Sequence, residues 1–304
     1  MPARSPELGP ALRDAGFRGE LLPNEPLARC TTWRIGGPAE LLAVPANAED
    51  LVRAVEWASA RSVPWRVLGN GSNLLVADAG VRGLVLRLRK VLDRVRFEDT
   101  RLLVGAGALL PSLSHQAAAQ RLAGLEFAGG IPGTLGGAIR MNAGWHESEL
   151  GRLVEQVDCF DPDRGVVKLS GDACRFRYRG SRFRDERLVV LAAELALSPD
   201  SPDRIEERMR AFAASRKRNQ PTDQPSCGSV FLKPEGDFAG RLIDEAGLKG
   251  FRVGDVEVSS LHANFFVNTG CATASQVLTL VARVEEEVER RFGVRLVREF
   301  ELWE

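Results

Sequence analysis

No stretch of this sequence is apolar for long enough to cross a bilayer. The best candidate, LVVLAAELAL, is interrupted by Glu194, whereas a spanning helix needs about 20 apolar residues. The first residues, MPARSPELGPALRD, hold no apolar core of the kind an export signal carries. The expectation is a cytoplasmic protein with no membrane partner. Net charge is also lacking, because 41 basic and 41 acidic residues cancel. That argues against a chain-wide basic face for nucleic acid or anionic lipid, while leaving room for a local cationic pocket. The five cysteines are odd in number, widely spaced and form no CxxC. Incidental thiols in a reducing compartment are expected rather than disulfides or zinc. Three scattered histidines suggest no metal site, and tyrosine occurs once, at Tyr178.

Glycine is what the chain has in quantity, and two loops concentrate it. Residues 129 to 144, GGIPGTLGGAIRMNAG, hold six glycines, one proline and a single charge, Arg140. Each glycine costs roughly 1 kcal/mol relative to alanine inside a helix, so this run is no ordinary helix or strand. It suits a backbone that must come close to something. Successive N–H groups without Cβ atoms in the way can form a nest for an anion. A short helix near Thr134 would add the favourable field of its N-terminus. An irregular tight loop explains this stretch alone equally well.

A second loop changes the balance. In VLGNGSNLLV, residues 67 to 76, Gly69-Asn70-Gly71-Ser72-Asn73 lies between apolar runs and reads as a tight turn between two strands. Two short, uncharged, N–H-rich loops in one half of a chain suggest a pyrophosphate held between them. Neither loop is GxxxxGKS or GxxxxGKT, and neither is a GxGxxG leading to a helix and a ribose-binding acid. P-loop and Rossmann sites are therefore not supported.

In chain order, the periodicities predict a weak helix or arm over 5–21 and a strand at Leu41 to Val44. The turn Gly36-Gly37-Pro38 precedes that strand, and before it Trp33 and Ile35 alternate with polar residues. A helix follows over 48–61, capped by Asn47, with Leu51, Ala54, Val55 and Ala58 on one face. Strand, loop and strand across 65–76 complete a βαβ-like opening. The β segments GLVLRL, VRFE and LLVGAG fill 81–107, a helix takes 111–123, and strands return at 153–160, 165–169 and 188–197. SPDSPD marks a boundary near 198–204. Beyond it come a charged helix over 204–218, a long helix over about 273–291 and a terminal strand over 294–303. The fold class is α+β with mixed sheets. Its parts are an arm or helix at 1–20, a larger unit of two subdomains at 21–200 and a smaller unit at 201–304.

Three stretches hold residues that could carry chemistry. FRYRGSRF surrounds Tyr178 with Arg177, Arg179 and Arg182, and Arg175 lies just ahead. A solvated basic face is the usual explanation of such a run. The alternation with aromatics also suits a turn that points one guanidinium into a pocket, where its fork matches a carboxylate or phosphate. RKRNQPTDQPSCGSVFLKP, at 216 to 234, leads from three cations through Ser226-Cys227-Gly228-Ser229 into a short strand. A serine after a glycine at the start of a strand is well placed to project its hydroxyl into a cleft. With no GxSxG elbow and no histidine nearby, a hydrolase triad is weakly supported. A proton-donating serine fits better, though this motif alone does not establish one. In FGVRLVREFE, alternation puts Val294, Leu296, Arg298 and Phe300 on one face and Arg295, Val297, Glu299 and Glu301 on the other. By pattern alone Glu299 would not be singled out.

Taken together, the stretches TTWRIGGPAE, VLGNGSNLLV, GGIPGTLGGAIRMNAG, YRGS, QPTDQPSCGSVF, AGRLIDEAGLKG, HANFFVN and FGVRLVREFEL resemble one family. It is the flavin-dependent UDP-N-acetylenolpyruvoylglucosamine reductases of bacterial peptidoglycan synthesis. The match runs from about Cys30 to Trp303, and the order of the motifs makes it specific. The resemblance implies an FAD-binding domain of the vanillyl-alcohol-oxidase (PCMH) type over 21–200 and a C-terminal α+β substrate-binding domain over 201–304. It implies non-covalent FAD, NADPH as hydride donor and UDP-N-acetylenolpyruvoylglucosamine as substrate; a monomer is the separate expectation. It places FAD contacts at Thr32, at Gly69, Asn70, Gly71, Ser72, Asn73 and Leu74, and at Gly130, Ile131, Pro132, Gly133, Gly136, Gly137, Ala138 and Asn142. Substrate contacts fall on Tyr178, Lys217, Arg218, Lys233 and His262.

The family's catalytic positions fall on Arg179, Ser229 and Glu299. In the implied reaction NADPH reduces FAD and leaves. Hydride then passes to the terminal methylene carbon of the enol ether, and negative charge moves to the adjacent carbon and its carboxylate. Arg179 stabilises that charge, Glu299 helps hold the enolate-like state, and Ser229 protonates the carbon. The chain departs from the commonest pattern at Asn219, where Lys or Thr is frequent, and at Leu232-Lys233-Pro234, where Lys-Asn-Pro is frequent. SCGS and the short loops look like the family's shorter subtype, which lacks an extra tyrosine-bearing loop. Two rivals are an alcohol or hydroxy-acid oxidase of the same fold, often with covalently linked flavin, and a nucleotide-binding module without catalysis. The second has no reason to carry Arg179, Ser229 and Glu299 together.

Overall fold

A computed structural model describes residues 8–145 and 147–304. The N-terminal helix is Leu8–Asp14. Residues 1–7 of the expected arm, and His146, lie outside the described residues. Packing gathers the chain into two units of interleaved segments. One holds the chain up to Pro23 with Leu41–Asn70 and Gly83–Ala214. The other holds Asn24–Glu40, Gly71–Arg82 and Ser215–Glu304. Sequence composition places a boundary near 198–204, where the charged helix Pro202–Asn219 begins, whereas the second unit takes up the chain again only at Ser215. Composition gives no sign that two short early segments pack with the last third of the chain.

In the first unit, Asn47 caps the helix Ala48–Ala60 by accepting from Asp50 N–H. The helix buries Leu51, Ala54, Val55, Trp57 and Ala58. Asp50 is itself buried, and its carboxylate accepts from the N–H groups of Arg18 and Gly19, each at 2.8 Å, and of Ala46 at 3.0 Å. A buried carboxylate is tolerated because backbone donors satisfy it. The neighbouring sheet runs in the order Glu20–Pro26, Pro38–Val44, Val81–Arg87, Trp65–Leu68. Trp65–Leu68 pairs parallel to Leu84 through Arg87.

A five-stranded antiparallel sheet follows, in the order Gly165–Ser170, Val154–Asp161, Val189–Ala196, Arg101–Gly105, Val95–Glu98. It carries a core on each face, as strand alternation allows. Val157, Cys159 and Leu195 pack with the helices Leu110–Ala119 and Leu135–Met141. Phe160, Val189 and Leu191 pack with Leu51, Val55 and Trp57.

In the second unit, Arg252–Val253, Val256–Val258 and Phe266–Asn268 form a three-stranded antiparallel sheet. The helix Ala274–Phe292 buries Val277, Leu280, Val281, Val284 and Val288 in the same core. Trp33, Ile35 and Leu75, from the early segments, complete it. Trp33 Nε1–H donates to Phe266 O at 2.9 Å, and its ring meets Phe300 edge-on at 5.7 Å.

Two expectations are corrected. The strands flanking the first glycine loop are not hairpin partners. Trp65–Leu68 pairs parallel to Val81–Arg87, whereas Leu74–Val76 pairs parallel to the chain's last strand, Glu301–Trp303. The terminal strand is also shorter than 294–303. It forms a ladder only over Glu301–Trp303, with one separate bridge between Arg298 and Phe231. Local alternation signals exposure on two faces, but a ladder needs a partner, and only 301–303 finds a continuous one. Trp33 and Ile35 are buried as their alternation suggests, in irregular backbone rather than a strand.

The start of helix Ala274–Phe292 has two caps. Thr273 and Gln276 form a capping box. Asp78, far away in sequence, accepts from Ala274 N–H at 2.7 Å, from Ser275 N–H at 3.0 Å and from the Ser275 hydroxyl. Partial burial raises the Asp78 pKa, but these three bonds outweigh it and leave the carboxyl below its ordinary range. A depressed folded-state pKa adds stability that is present above the unfolded value, near 4, and is lost as pH falls through the folded one. Asp78→Ala is expected to cost about 1 kcal/mol near neutral pH. Denaturant melts of both proteins should converge as pH falls below about 4. A gap that stays constant to pH 2 would show that the charge on Asp78 contributes nothing.

Candidate active site

In the first unit, the turn Glu126–Gly130 leads into the second glycine loop and then the helix Leu135–Met141. Thr134 caps that helix, accepting from Gly137 N–H at 3.4 Å. The helix starts where the sequence puts it. The loop's donors have divided duties. Leu135 and Gly136 N–H donate to Ala108 O and Ala106 O at 2.8 and 2.9 Å, and Gly133 N–H donates to Ile131 O at 2.8 Å. Part of the glycine pattern therefore serves close packing against the segment after strand Arg101–Gly105. Gly130, Pro132 and Gly137 are exposed, while Ala138 is buried. The start of the first loop meets the second: Asn70 Nδ2–H donates to Pro132 O. A Cβ on Gly69 would collide with Thr134 Oγ1.

The YRGS stretch is also in the first unit, and it is a tight turn. Arg177 and Gly180 exchange backbone hydrogen bonds, both 3.0 Å. Between them Arg179 takes a left-handed conformation, φ 52°, which is uncommon outside glycine. Its guanidinium lies over the exposed Tyr178 ring at 5.3 Å. Arg175 and Arg182 pair with Glu186, and Arg177 pairs with Asp185 at 2.7 Å. Most of the basic run is thus an ion-paired surface, as its composition alone suggests.

In the second unit, three segments meet around Ser229. The half-buried Ser229 bridges Phe265. Val230 N–H donates to Asn264 O at 2.8 Å, and Val230 O accepts from Glu299 N–H at 2.8 Å. Ser229 and Glu299 therefore stand on adjacent backbone segments. The rest of the first glycine loop joins them. Thr32 N–H donates to Gly71 O at 3.1 Å, while the Thr32 hydroxyl donates to Ser226 O at 2.7 Å. Asn73 Nδ2–H donates to Glu299 O at 3.1 Å, and Asn73 O accepts from Glu301 N–H at 3.0 Å. Gly71 has φ 61°, and a Cβ there would strike Cys30 O. Only glycine fits at this point.

Burial, and then the nearby Glu299 carboxylate, hold the Cys227 thiol well above its ordinary range. Cys227 is consequently a neutral thiol and no nucleophile at physiological pH. His262 Nδ1 accepts from Asn264 N–H at 3.2 Å, and burial lowers the His262 pKa, so the ring is neutral. Lys217 and Arg218 are exposed in the last turn of helix Pro202–Asn219. Lys233 is exposed, with Nζ over the Phe238 ring at 4.4 Å. Sequence reasoning passes over Asn264, which lies in HANFFVN. Its amide brackets Phe231, accepting from its N–H at 2.9 Å and donating to its carbonyl at 2.8 Å. A buried asparagine between apolar residues was the available signal, since such an amide must find partners. Asn142, grouped above with the FAD contacts, has both amide protons engaged within the protein, by Glu149 and Arg177 O.

Two glycine-rich loops, the first with no room for a Cβ at Gly69 or Gly71, stand on an α+β scaffold whose class the comparisons supply, that of an FAD-binding flavoprotein. A family model described as an FAD binding domain matches residues 39–170. A second, the C-terminal domain of UDP-N-acetylenolpyruvoylglucosamine reductase, matches residues 220–303. The UDP-N-acetylenolpyruvoylglucosamine reductase of Rubrobacter xylanophilus is 48% identical over 90% of this chain and 92% of its own length. That of Moorella thermoacetica is 46% identical over 95% of each. The crystal structure of the Thermus caldophilus reductase superposes with a TM-score of 0.81 at 40% identity, covering 94% of this chain and 99% of its own. The chain belongs to the UDP-N-acetylenolpyruvoylglucosamine reductase family.

Proposed function

We propose that this chain reduces UDP-N-acetylenolpyruvoylglucosamine to UDP-N-acetylmuramate, a step of peptidoglycan precursor synthesis, using NADPH and non-covalent FAD. One observation carries the reading furthest. Within the second unit, a glycine loop is hydrogen-bonded to both segments that bear the polar pair, through Thr32 to Ser226 and through Asn73 to Glu299. A loop of this kind suits an anionic cofactor, and Ser229 and Glu299 suit proton chemistry beside it.

The residues present fit FAD. The stretch from Gly69 to Leu74 carries no charge to oppose a pyrophosphate, Gly130 and Pro132 are exposed, and the close contacts at Gly69 and Gly71 fix their loop against Thr134 and Cys30. Thr32, Gly69 to Leu74 and Gly130 to Gly133 are proposed to hold the cofactor, with Gly136, Gly137 and Ala138 shaping the loop. When bound, FAD would accept a hydride from NADPH and supply it to the enolpyruvyl methylene carbon. Arg179 would donate its fork to the substrate carboxylate and stabilise the charge that develops there. Ser229 would protonate the adjacent carbon as general acid. Glu299 would polarise the enolate-like state. Tyr178, Lys217, Arg218, Lys233 and His262 are proposed to contact the nucleotide sugar.

The deciding measurement is an anaerobic visible spectrum. Flavin bands that bleach with NADPH and return on adding the enolpyruvyl substrate establish cofactor, donor and acceptor together. Bands that never return with that substrate sink the reaction but not the fold. FAD released by acid precipitation separates this reading from an oxidase with covalent flavin. Among the described residues no helix is long and apolar enough to cross a membrane. The reading takes the protein as a cytoplasmic monomer, which light scattering at a mass other than 33.2 kDa would overturn.

A further inference from the structure

The turn that carries Arg179 is held by the far end of the glycine-loop helix. Helix Leu135–Met141 ends at Asn142, which is left-handed, φ 44°. Asn142 is 3% exposed, and every partner of its amide is protein. Nδ2–H donates to Arg177 O at 3.1 Å and to Glu149 Oε2, while Oδ1 accepts from Gly151 N–H at 2.8 Å. Two residues earlier, Arg140 donates to Phe183 O, and Arg140 O accepts from the buried Ser181 hydroxyl at 2.9 Å. Arg184 Nη1–H donates to Arg179 O at 2.9 Å. The turn is thus tied on both sides. Asn142 holds the residue that opens it, Arg140 holds the residues that follow it, and Arg179 lies between.

Such ties answer a physical need. A left-handed arginine is sterically disfavoured, so a free chain would relax away from the conformation that aims its side chain. Strained residues persist where the surroundings over-determine them. The tie at Arg177 O is made by a buried side chain whose remaining bonds, to Glu149 and Gly151, anchor it to the protein. Asparagine suits the place twice, because it tolerates φ > 0 and offers both donor and acceptor.

We infer that Asn142 is a positioning residue for Arg179, coupling the end of the glycine-loop helix to the guanidinium that meets the substrate carboxylate. This rests on the reading of Arg179 given above. Two variants separate the amide from the backbone. Asn142→Gly keeps the left-handed cap and removes the amide. Asn142→Asp keeps the backbone preference and the acceptor for Gly151, but cannot donate to Arg177 O and sets a carboxylate against Glu149, so Asn142→Gly is the cleaner variant.

Both variants are expected to slow flavin reoxidation by the enolpyruvyl substrate about 10- to 100-fold, the effect of a misplaced group. The rate of flavin reduction by NADPH and the dissociation constant for FAD should stay within about twofold. Adding Asn142→Gly to Arg179→Ala should cause little further loss, since residues acting as a unit are not additive. Wild-type reoxidation in Asn142→Gly overturns the inference, as does full additivity with Arg179→Ala. Weakened FAD binding in both variants also overturns it and makes Asn142 a support of the cofactor loop. If instead Arg179→Ala alone reoxidises normally, the role of Arg179 fails first, which distinguishes the two failures.

Discussion

Replacing Ser229 by alanine is expected to lower turnover roughly 10²- to 10⁴-fold, the range for loss of a general acid. Bleaching of the flavin by NADPH should continue near its normal rate. The expectation rests on how the segment is held. Val230 is bonded through its N–H to Asn264 and through its carbonyl to Glu299, and Phe231 is bracketed by the Asn264 amide. None of these ties uses the Ser229 hydroxyl. Removing one oxygen should leave the backbone in place, so any loss is chemical. A proton donor to carbon acts after hydride has arrived and has no task while NADPH is being oxidised. Stopped-flow traces of the two half-reactions decide the matter. Equal slowing of both would mean that Ser229 shapes the site and does not serve as acid.

Charge reversal at Arg179 should abolish product formation while FAD remains bound. Losing one preorganised donor to a developing charge costs roughly 10²- to 10³-fold, and a carboxylate in its place would repel the substrate's own. Arg179→Glu adds no new backbone strain, because the arginine already occupies φ 52° and neither side chain is β-branched. Arg179→Lys should recover part of the activity, since it restores charge without the two-pronged fork. Flavin content by absorbance and product by chromatography test this together. A variant that purifies without FAD would show that Arg179 supports the fold of the cofactor domain.

Much of the secondary structure is legible from local pattern. Helices Ala48–Ala60 and Ala274–Phe292 fall within a residue or so of the sequence expectation. Both carry apolar residues at helical spacing behind a side-chain cap, and such signals lie within one stretch of chain. The short helix after Thr134 is legible for the same reason. Pairing partners are not local. Strand Leu74–Val76 looks like half of a hairpin, and its true partner is the final strand. Glu299 illustrates the consequence. Alternation makes it an ordinary exposed carboxylate that only the resemblance singles out, and no pattern shows that Asn73 and Val230 are bonded to its backbone. Asn142 reads as one more member of a glycine-rich loop until its amide is traced to Arg177.

The sequence by itself determined that the chain is α+β, that its glycine is concentrated in the loops at 69–73 and 129–144, and, through ordered motifs, which family it resembles. Glycine content, apolar periodicity and capping residues act over a few positions, so composition and spacing reveal them. Only the tertiary structure decided that residues 24–40 and 71–82 pack with the last third, that Ser229 and Glu299 share neighbouring backbone, and that one helix end secures the Arg179 turn. Each of these depends on burying apolar surface and satisfying polar groups between segments far apart in sequence. No local pattern encodes which distant segment supplies the partner.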